Sequence, residues 1–185
     1  MIIAFLASCV TWLAFELWLN LRDRDRTDST EDKSSGLRLL LLLILALASG
    51  AVIQPTRLLS IPLEEDLRYL TGTAFVLGGA FFGLWAFRAL GKYFRTVLEV
   101  QAGQKVITRG PYRFVRHPAY AGAMLVFASF GIGLGSWAGL AAMLAFTFAG
   151  YRRRIWLEEQ MMIARFREEY LGFMAKTKKL IPFIY

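Results

Sequence analysis

The sequence predicts an all-α, polytopic integral membrane protein, and three observations carry that prediction. Hydrophobic residues make up 56% of the 185-residue chain and charged residues only 19%. The apolar residues fall in long blocks, and a helix of about 20 such residues crosses a ~30 Å hydrocarbon core. Lys and Arg gather at the ends of those blocks, as they do in the loops of membrane proteins. The mean hydropathy is +0.44. The length suits one domain, so residues 1–185 are read as a single unit. Residues 1–90 hold three N-terminal spans, and 91–185 hold a connector, a helical hairpin and a C-terminal helix. The net charge of +8 is placed for membrane topology and anionic headgroups, so no nucleic-acid partner is expected.

The elements follow in order. Ile2 to Leu21 is apolar apart from Glu16 and Asn20 and is long enough to span, with Trp12 and Trp18 suited to an interface. Cys9 is the single cysteine, which excludes a disulfide within the chain. Its LASC context has too short and uncharged a leader for a lipoprotein signal. Arg22 to Gly36, RDRDRTDSTEDKSSG, alternates in sign and reads as a loop. Leu37 to Ile53 is a leucine-rich second span closed by Pro55, and Gln54 to Asp66 is a second loop. Leu67 to Leu90 is a third span containing GGAFFG, Gly78 to Gly83. Small residues at that spacing let helices approach closely in lipid.

Gly91 to Arg116 is too polar to span and too patterned for a plain linker. Ala119 to Tyr151 is apolar again but broken by GIGLGSW, Gly131 to Trp137. It is too long for one ordinary span, so two short helices in a hairpin are expected. GIGLG follows no strand and is no dinucleotide fingerprint. Arg152 to Tyr185 reads as an amphipathic helix with a basic tail, because Ile155, Met162, Phe166, Tyr170 and Phe173 recur at helical spacing. The total is about five spans. Lys and Arg are dense in the first loop, the connector and the tail, and sparse in the second loop and the hairpin turn. That asymmetry predicts an outside N-terminus, with the connector and C-terminus cytoplasmic.

Two polar regions therefore meet on one side of the membrane. His117, the only histidine, precedes Pro118 at the start of the fourth span. Pro118 suits the first turn of a helix, whose free N–H groups can receive an anion. His117 and Tyr120 share a helix face. The alternative is a helix end anchored at the headgroups. With one histidine and a distant cysteine, no metal site is expected. In RRRIWLEE, Arg154 and Glu158 are helix neighbours four residues apart. They form either a surface ion pair or a site in which Arg154 grips a carboxylate and Glu158 a cation. No Ser-His-Asp set, G-x-S-x-G or Walker loop stands in credible context.

GQKVITRGPYRFVRHPAYAG, followed by RIWLEEQMMIARFREEYLGFMAKTKKLIP, resembles the isoprenylcysteine carboxyl methyltransferase family, relatives of phospholipid methyltransferases. The resemblance covers roughly Gly103 to Pro182 and rests on R-H-P-x-Y-x-G, R-x-x-x-E-E, F-x-x-E-Y and L-I-P together. It implies a small helical membrane enzyme that binds S-adenosylmethionine in a cytoplasmic pocket, while a lipophilic acceptor enters from the bilayer. Carried over by position, Gln104, Lys105, Val106, Ile107 and Tyr112 line the cofactor. His117, Pro118, Ala119 and Tyr120 wrap its amino-acid and ribose portions. Glu158 holds the cofactor, and Arg154 holds the acceptor group, making these two the implied catalytic pair. Many carboxyl methyltransferases of the family have His where this chain has Gln104, a departure that bears on the acceptor. The implied acceptor is the carboxylate of an isoprenylcysteine-like substrate, with a phospholipid or thiol as the alternative. A nicotinamide-dependent membrane reductase and a non-enzymatic scaffold are the competing classes. The sequence leaves monomer and dimer equally open.

Overall fold

The computed structural model describes residues 1–23 and 59–185, with positions 41, 44 and 48 besides. Apart from those positions, the expected first loop from Arg24 onward and the expected span Leu37 to Ile53 lie outside the described residues. Five α-helices are described: α1 (Ile2–Asp23), α2 (Glu65–Leu90), α3 (Pro118–Gly133), α4 (Trp137–Phe166) and α5 (Glu168–Lys176). The described residues contain no strand, only isolated bridges pairing Ser60 with Ser136 and Val115 with Lys178.

α1 buries one stripe, Phe5, Cys9, Trp12, Leu19 and Asp23, at the three- and four-residue steps of a helix face. Ile3, Val10, Leu13 and Leu17 on its other faces are exposed. α2 opens with Glu65 and Asp66, charges that suit a helix N-terminus, and stops at Gly91, whose φ of 57° leaves the helical region. Both helices are long and apolar enough to cross a bilayer, and only 22% of each apolar window is buried. That much outward apolar surface suits a lipid surround. The chain is an integral membrane protein.

After the connector, α3 and α4 pack together as the two arms of a hairpin. Pro118 occupies the first turn of α3, and the arm ends at Gly133. Ser136 caps α4 by accepting a hydrogen bond from Gly139 N at 3.1 Å. α2 and α3 pack most closely where Gly79 faces Gly122. A methyl group added at Gly79 would strike the Gly122 carbonyl, and one at Gly122 would meet the Gly79 carbonyl at 2.5 Å. Of the GGAFFG stretch, Gly79 makes this contact, whereas Gly78 and Gly83 face open space.

Two expectations need correction. The second hairpin arm is not short: α4 runs 30 residues, straight through Arg152 to Arg154 and on to Phe166. Arg152 and Arg153 are exposed, so the helix continues beyond its apolar part without burying those charges. The amphipathic helix expected from Arg152 to Tyr185 is divided: its first part continues α4, and its second is the short α5. The chain breaks at Arg167, with φ 44°, a rare conformation for a non-glycine residue. It then forms the short α5 and a non-helical tail. The apolar stripe survives the break because α5 folds back: Tyr170 and Phe173 pack with Ala86, Ala89 and Tyr112. As to span number, α3 is a shorter apolar helix of 16 residues, and α1 and α2 are the spans that length and composition support among the described residues.

Candidate functional site

The connector is fixed by polar contacts where regular structure is lacking. Asp23, at the end of α1, accepts hydrogen bonds from Thr96 N at 2.9 Å and Thr96 Oγ1 at 3.2 Å. Arg22 pairs with the same carboxylate at 2.9 Å. The Thr96 carbonyl in turn accepts from Arg154 Nη2 at 2.5 Å. One short extended segment thus joins α1 to the side chain of Arg154. Further along, Gln104 Oε1 accepts from Gln101 N at 2.9 Å, and Tyr93 donates to the Gly103 carbonyl at 2.7 Å. These bonds close the turn that presents Gln104 to Ile107.

The Arg116-His117 pair is held from behind by the chain's last segment. Arg116 N donates to Lys178 O at 2.8 Å and His117 N to Lys179 O at 3.0 Å. Arg116 Nη1 also donates to the carbonyls of Met174 and Thr177. At the centre lies Glu159, whose Oε1 accepts from Arg116 Nε at 2.8 Å and lies 3.3 Å from His117 Nε2, while its Oε2 lies 3.3 Å from Lys179 Nζ. Burial pushes the Glu159 carboxyl up, but hydrogen bonds and charge from His117 and Arg116 outweigh it and bring its pKa down to about 2. Burial pushes the His117 imidazole down. Glu158 and Glu159 outweigh that, through hydrogen bonds and charge, and hold it above its ordinary value. His117 is therefore held between two carboxylates that favour its protonated form.

Glu158 looks the other way. Burial raises its carboxyl, while His117 lowers it by hydrogen bond and charge, Arg154 by charge and Tyr120 by hydrogen bond; the lowering wins. Tyr120 Oη donates to Glu158 Oε2 at 3.1 Å. His117 stacks on Tyr120 with centroids 5.7 Å apart, and Tyr120 on Tyr151 at 4.8 Å. This aromatic ladder carries the site from the helix end into the hairpin.

Two cavities adjoin at that wall. The first lies under the connector and is lined by Gln104, Lys105, Val106, Ile107, Tyr112, Tyr120 and Glu158, with Met162, Tyr170 and Phe173 from α4 and α5. The second, of about 580 Å³, opens between α1, α3 and α4 and is lined by Glu16, Asn20, Ala119, Tyr151 and Arg154, with His117 at its edge. Tyr112, Tyr120 and Glu158 border both. The structure therefore brings Gln104 to Ile107, Tyr112, Tyr120 and Glu158 together. It sets Arg154, His117 and Ala119 on the second cavity. Pro118 is buried and borders neither.

The residues present fit a cofactor with polar ends and a flat apolar middle. Tyr112, Tyr170 and Phe173 supply aromatic faces, and Glu158 supplies a carboxylate for a cationic group. Arg95 Nε is buried with no hydrogen-bond partner among the described residues, and Arg95 borders both cavities. An orphaned donor of this kind is open to an acceptor from outside the chain, water or ligand.

Three groups stand out in the structure more than in the sequence. The doubled acid in RRRIWLEE is a signal but does not separate Glu159 from Glu158. Asp23 reads as part of a loop and carries no signal within RDRDR. Glu16 reads as an interruption, yet a carboxylate inside an apolar span is itself a signal.

Comparison with known proteins gives two findings. A family model described as phospholipid methyltransferase matches residues 67–169. Over 112 residues the chain is 28% identical to a protein-S-isoprenylcysteine O-methyltransferase of Schizosaccharomyces pombe, covering 53% of this chain and 48% of that protein. The chain thus spans about half the length of that curated relative.

Proposed function

Because the chain belongs to the phospholipid methyltransferase family, we propose that it is a membrane methyltransferase dependent on S-adenosylmethionine. Its acceptor is lipophilic, with the carboxylate of an isoprenylcysteine-like molecule as the reading taken here. One observation carries this: a connector cavity and a cavity facing the helices share the wall of Tyr120 and Glu158, with Arg154 on the second side. A water-soluble donor and a membrane-borne acceptor need that kind of junction.

When bound, S-adenosylmethionine would supply an activated methyl group to the acceptor's lone pair, with the S–CH₃ bonding electrons left on sulfur. The chain's residues do the rest. Gln104 to Ile107, Tyr112 and Tyr120 would hold the donor, and Glu158 would pair with its ammonium group. Arg154, oriented by the Thr96 carbonyl, holds the acceptor's acidic group by charge-assisted hydrogen bonds. His117 and Pro118 fix the start of α3, so that Tyr120 keeps its hydrogen bond to Glu158. α5 and the connector exclude water from the junction. A carboxylate acceptor is already nucleophilic, so alignment is the main task. The Lys- and Arg-rich connector and tail support a cytoplasmic site and an outside N-terminus.

The family description favours one second reading, a phospholipid amine as acceptor in the same cavity. Calorimetric titration of purified protein with S-adenosylmethionine tests the common core of both. Saturable one-site binding is expected. Well-folded protein that does not bind it, but binds a nicotinamide cofactor, would replace the methyltransferase with a reductase.

A further inference from the structure

Glu16 lies within the apolar stretch of α1 and borders the larger cavity. At 1.5 Å per residue it sits about 10 Å along the helix from Asp23, too deep to be an end-of-helix charge. Among the described residues its carboxylate makes no hydrogen bond or ion pair; only its backbone carbonyl is engaged, by Asn20 at 2.8 Å. Carboxylates in a membrane span are costly and face a pathway or a partner.

The cavity that Glu16 faces carries charges of both signs. Its α1 wall presents Glu16 and Asn20, and its connector and α4 walls present Arg95 and Arg154, with Arg116, His117 and Glu158 at the junction with the first cavity. Tyr151 lies between, within electrostatic reach of both Glu16 and Arg154. At about 580 Å³ the cavity falls inside the ~300–1,000 Å³ range of small-molecule sites. An acceptor with only an acidic head group would satisfy the arginines and leave Glu16 unpaired beside a like charge. A head group with an ammonium near its acidic group satisfies both walls.

We propose that Glu16 is a specificity-determining residue of the acceptor cavity: it pairs with a protonated amine on the acceptor's head group, while Arg154 takes the acidic group. The Arg154 half rests on the methyltransferase reading; the amine preference does not. The ligand is a zwitterionic head group on an apolar tail. A prenyl thioether bearing a free amino acid has that chemistry, its carboxylate being the nucleophile, and so does an ethanolamine phospholipid, whose ammonium would first give a proton to Glu16 to free the lone pair that attacks.

The test uses the full chain in an uncharged detergent and two probes with one tail, farnesylamine and farnesol, followed by calorimetry. Wild type should bind the amine about 10- to 100-fold more tightly, the range expected for a charged hydrogen bond. Glu16→Gln, which keeps shape and removes charge, should bind both probes alike and keep its affinity for S-adenosylmethionine. Equal binding by wild type, or a preference that persists in Glu16→Gln, overturns the proposal. S-adenosylmethionine affinity on the same samples separates the two readings. Loss of cofactor binding with an intact amine preference breaks the methyltransferase reading and leaves this one standing. Turnover of S-farnesylcysteine against ethanolamine phospholipid vesicles then assigns the source. The assigned substrate is the one whose kcat/KM falls about tenfold or more in Glu16→Gln, and a fall with neither overturns the role in turnover.

Discussion

Glu158 and Glu159 are adjacent in sequence and carry the same carboxylate, yet the helix turns them about 100° apart and into different company. Glu159 has a side chain 5% exposed and is shared among Arg116, His117 and Lys179. Glu158 has a side chain 42% exposed and borders both cavities. The first carboxylate is consumed by the protein's own cations. The second keeps room for a ligand's. A carboxylate beside a cavity is informative about function only after its internal partners have been counted.

The largest expected effect breaks the contrast from the structural side. Glu159→Ala removes the carboxylate that the buried Arg116 pairs with and leaves His117 with Glu158 alone, and breaking a buried ion pair costs about 3–5 kcal/mol. Thermal unfolding in detergent should show a large fall in midpoint, and cofactor binding should disappear with the fold. Glu158→Gln comes next. It should shift unfolding by less than about 1 kcal/mol while weakening S-adenosylmethionine about 10- to 100-fold, since a charge-assisted bond is lost. If the two substitutions exchange these outcomes, the assignment of the two acids is reversed.

The smallest effect sharpens the contrast through pH. Glu159 has a folded pKa of about 2 against an ordinary 4.5. Its contribution to stability is full above 4.5 and is lost as pH falls toward 2. His117 has a folded pKa raised above its ordinary 6.5. Its contribution is full below 6.5 and is lost as pH rises through the raised value. The unfolding midpoint should therefore plateau between these limits and decline on both sides. Glu159→Gln should flatten the acid decline, and an unchanged acid limb in that variant would remove Glu159 from the explanation.

Much of this was legible in the chain. Composition and block length gave the spans α1 and α2, Pro118 marked the start of α3, and GIGLGSW marked the hairpin turn. The break at Arg167 was not legible, because no Gly or Pro stands there and the apolar spacing runs through it unaltered. Nor was the length of α4, since Arg152 to Arg154 read as the end of a span. Asp23 was hidden because alternating charge looks alike whether it is solvated or buried against Thr96. The connector's geometry comes from side chains bonding to backbone, such as Gln104 to Gln101, and such bonds leave no period to read.

The backbone pairing of residues 178 and 179 with Arg116 and His117 has a consequence for how the protein is made. Those residues follow every described helix in chain order, and a nascent chain emerges N-terminal end first. The hairpin therefore leaves the ribosome before Lys178 and Lys179 do. Until they arrive, Glu159 lacks Lys179, and the backbone amides of Arg116 and His117 lack their carbonyl partners. A ribosome stalled short of residue 177 would display helices in the membrane with no assembled site between them, so integration into lipid and competence for binding are separate events in the protein's biogenesis.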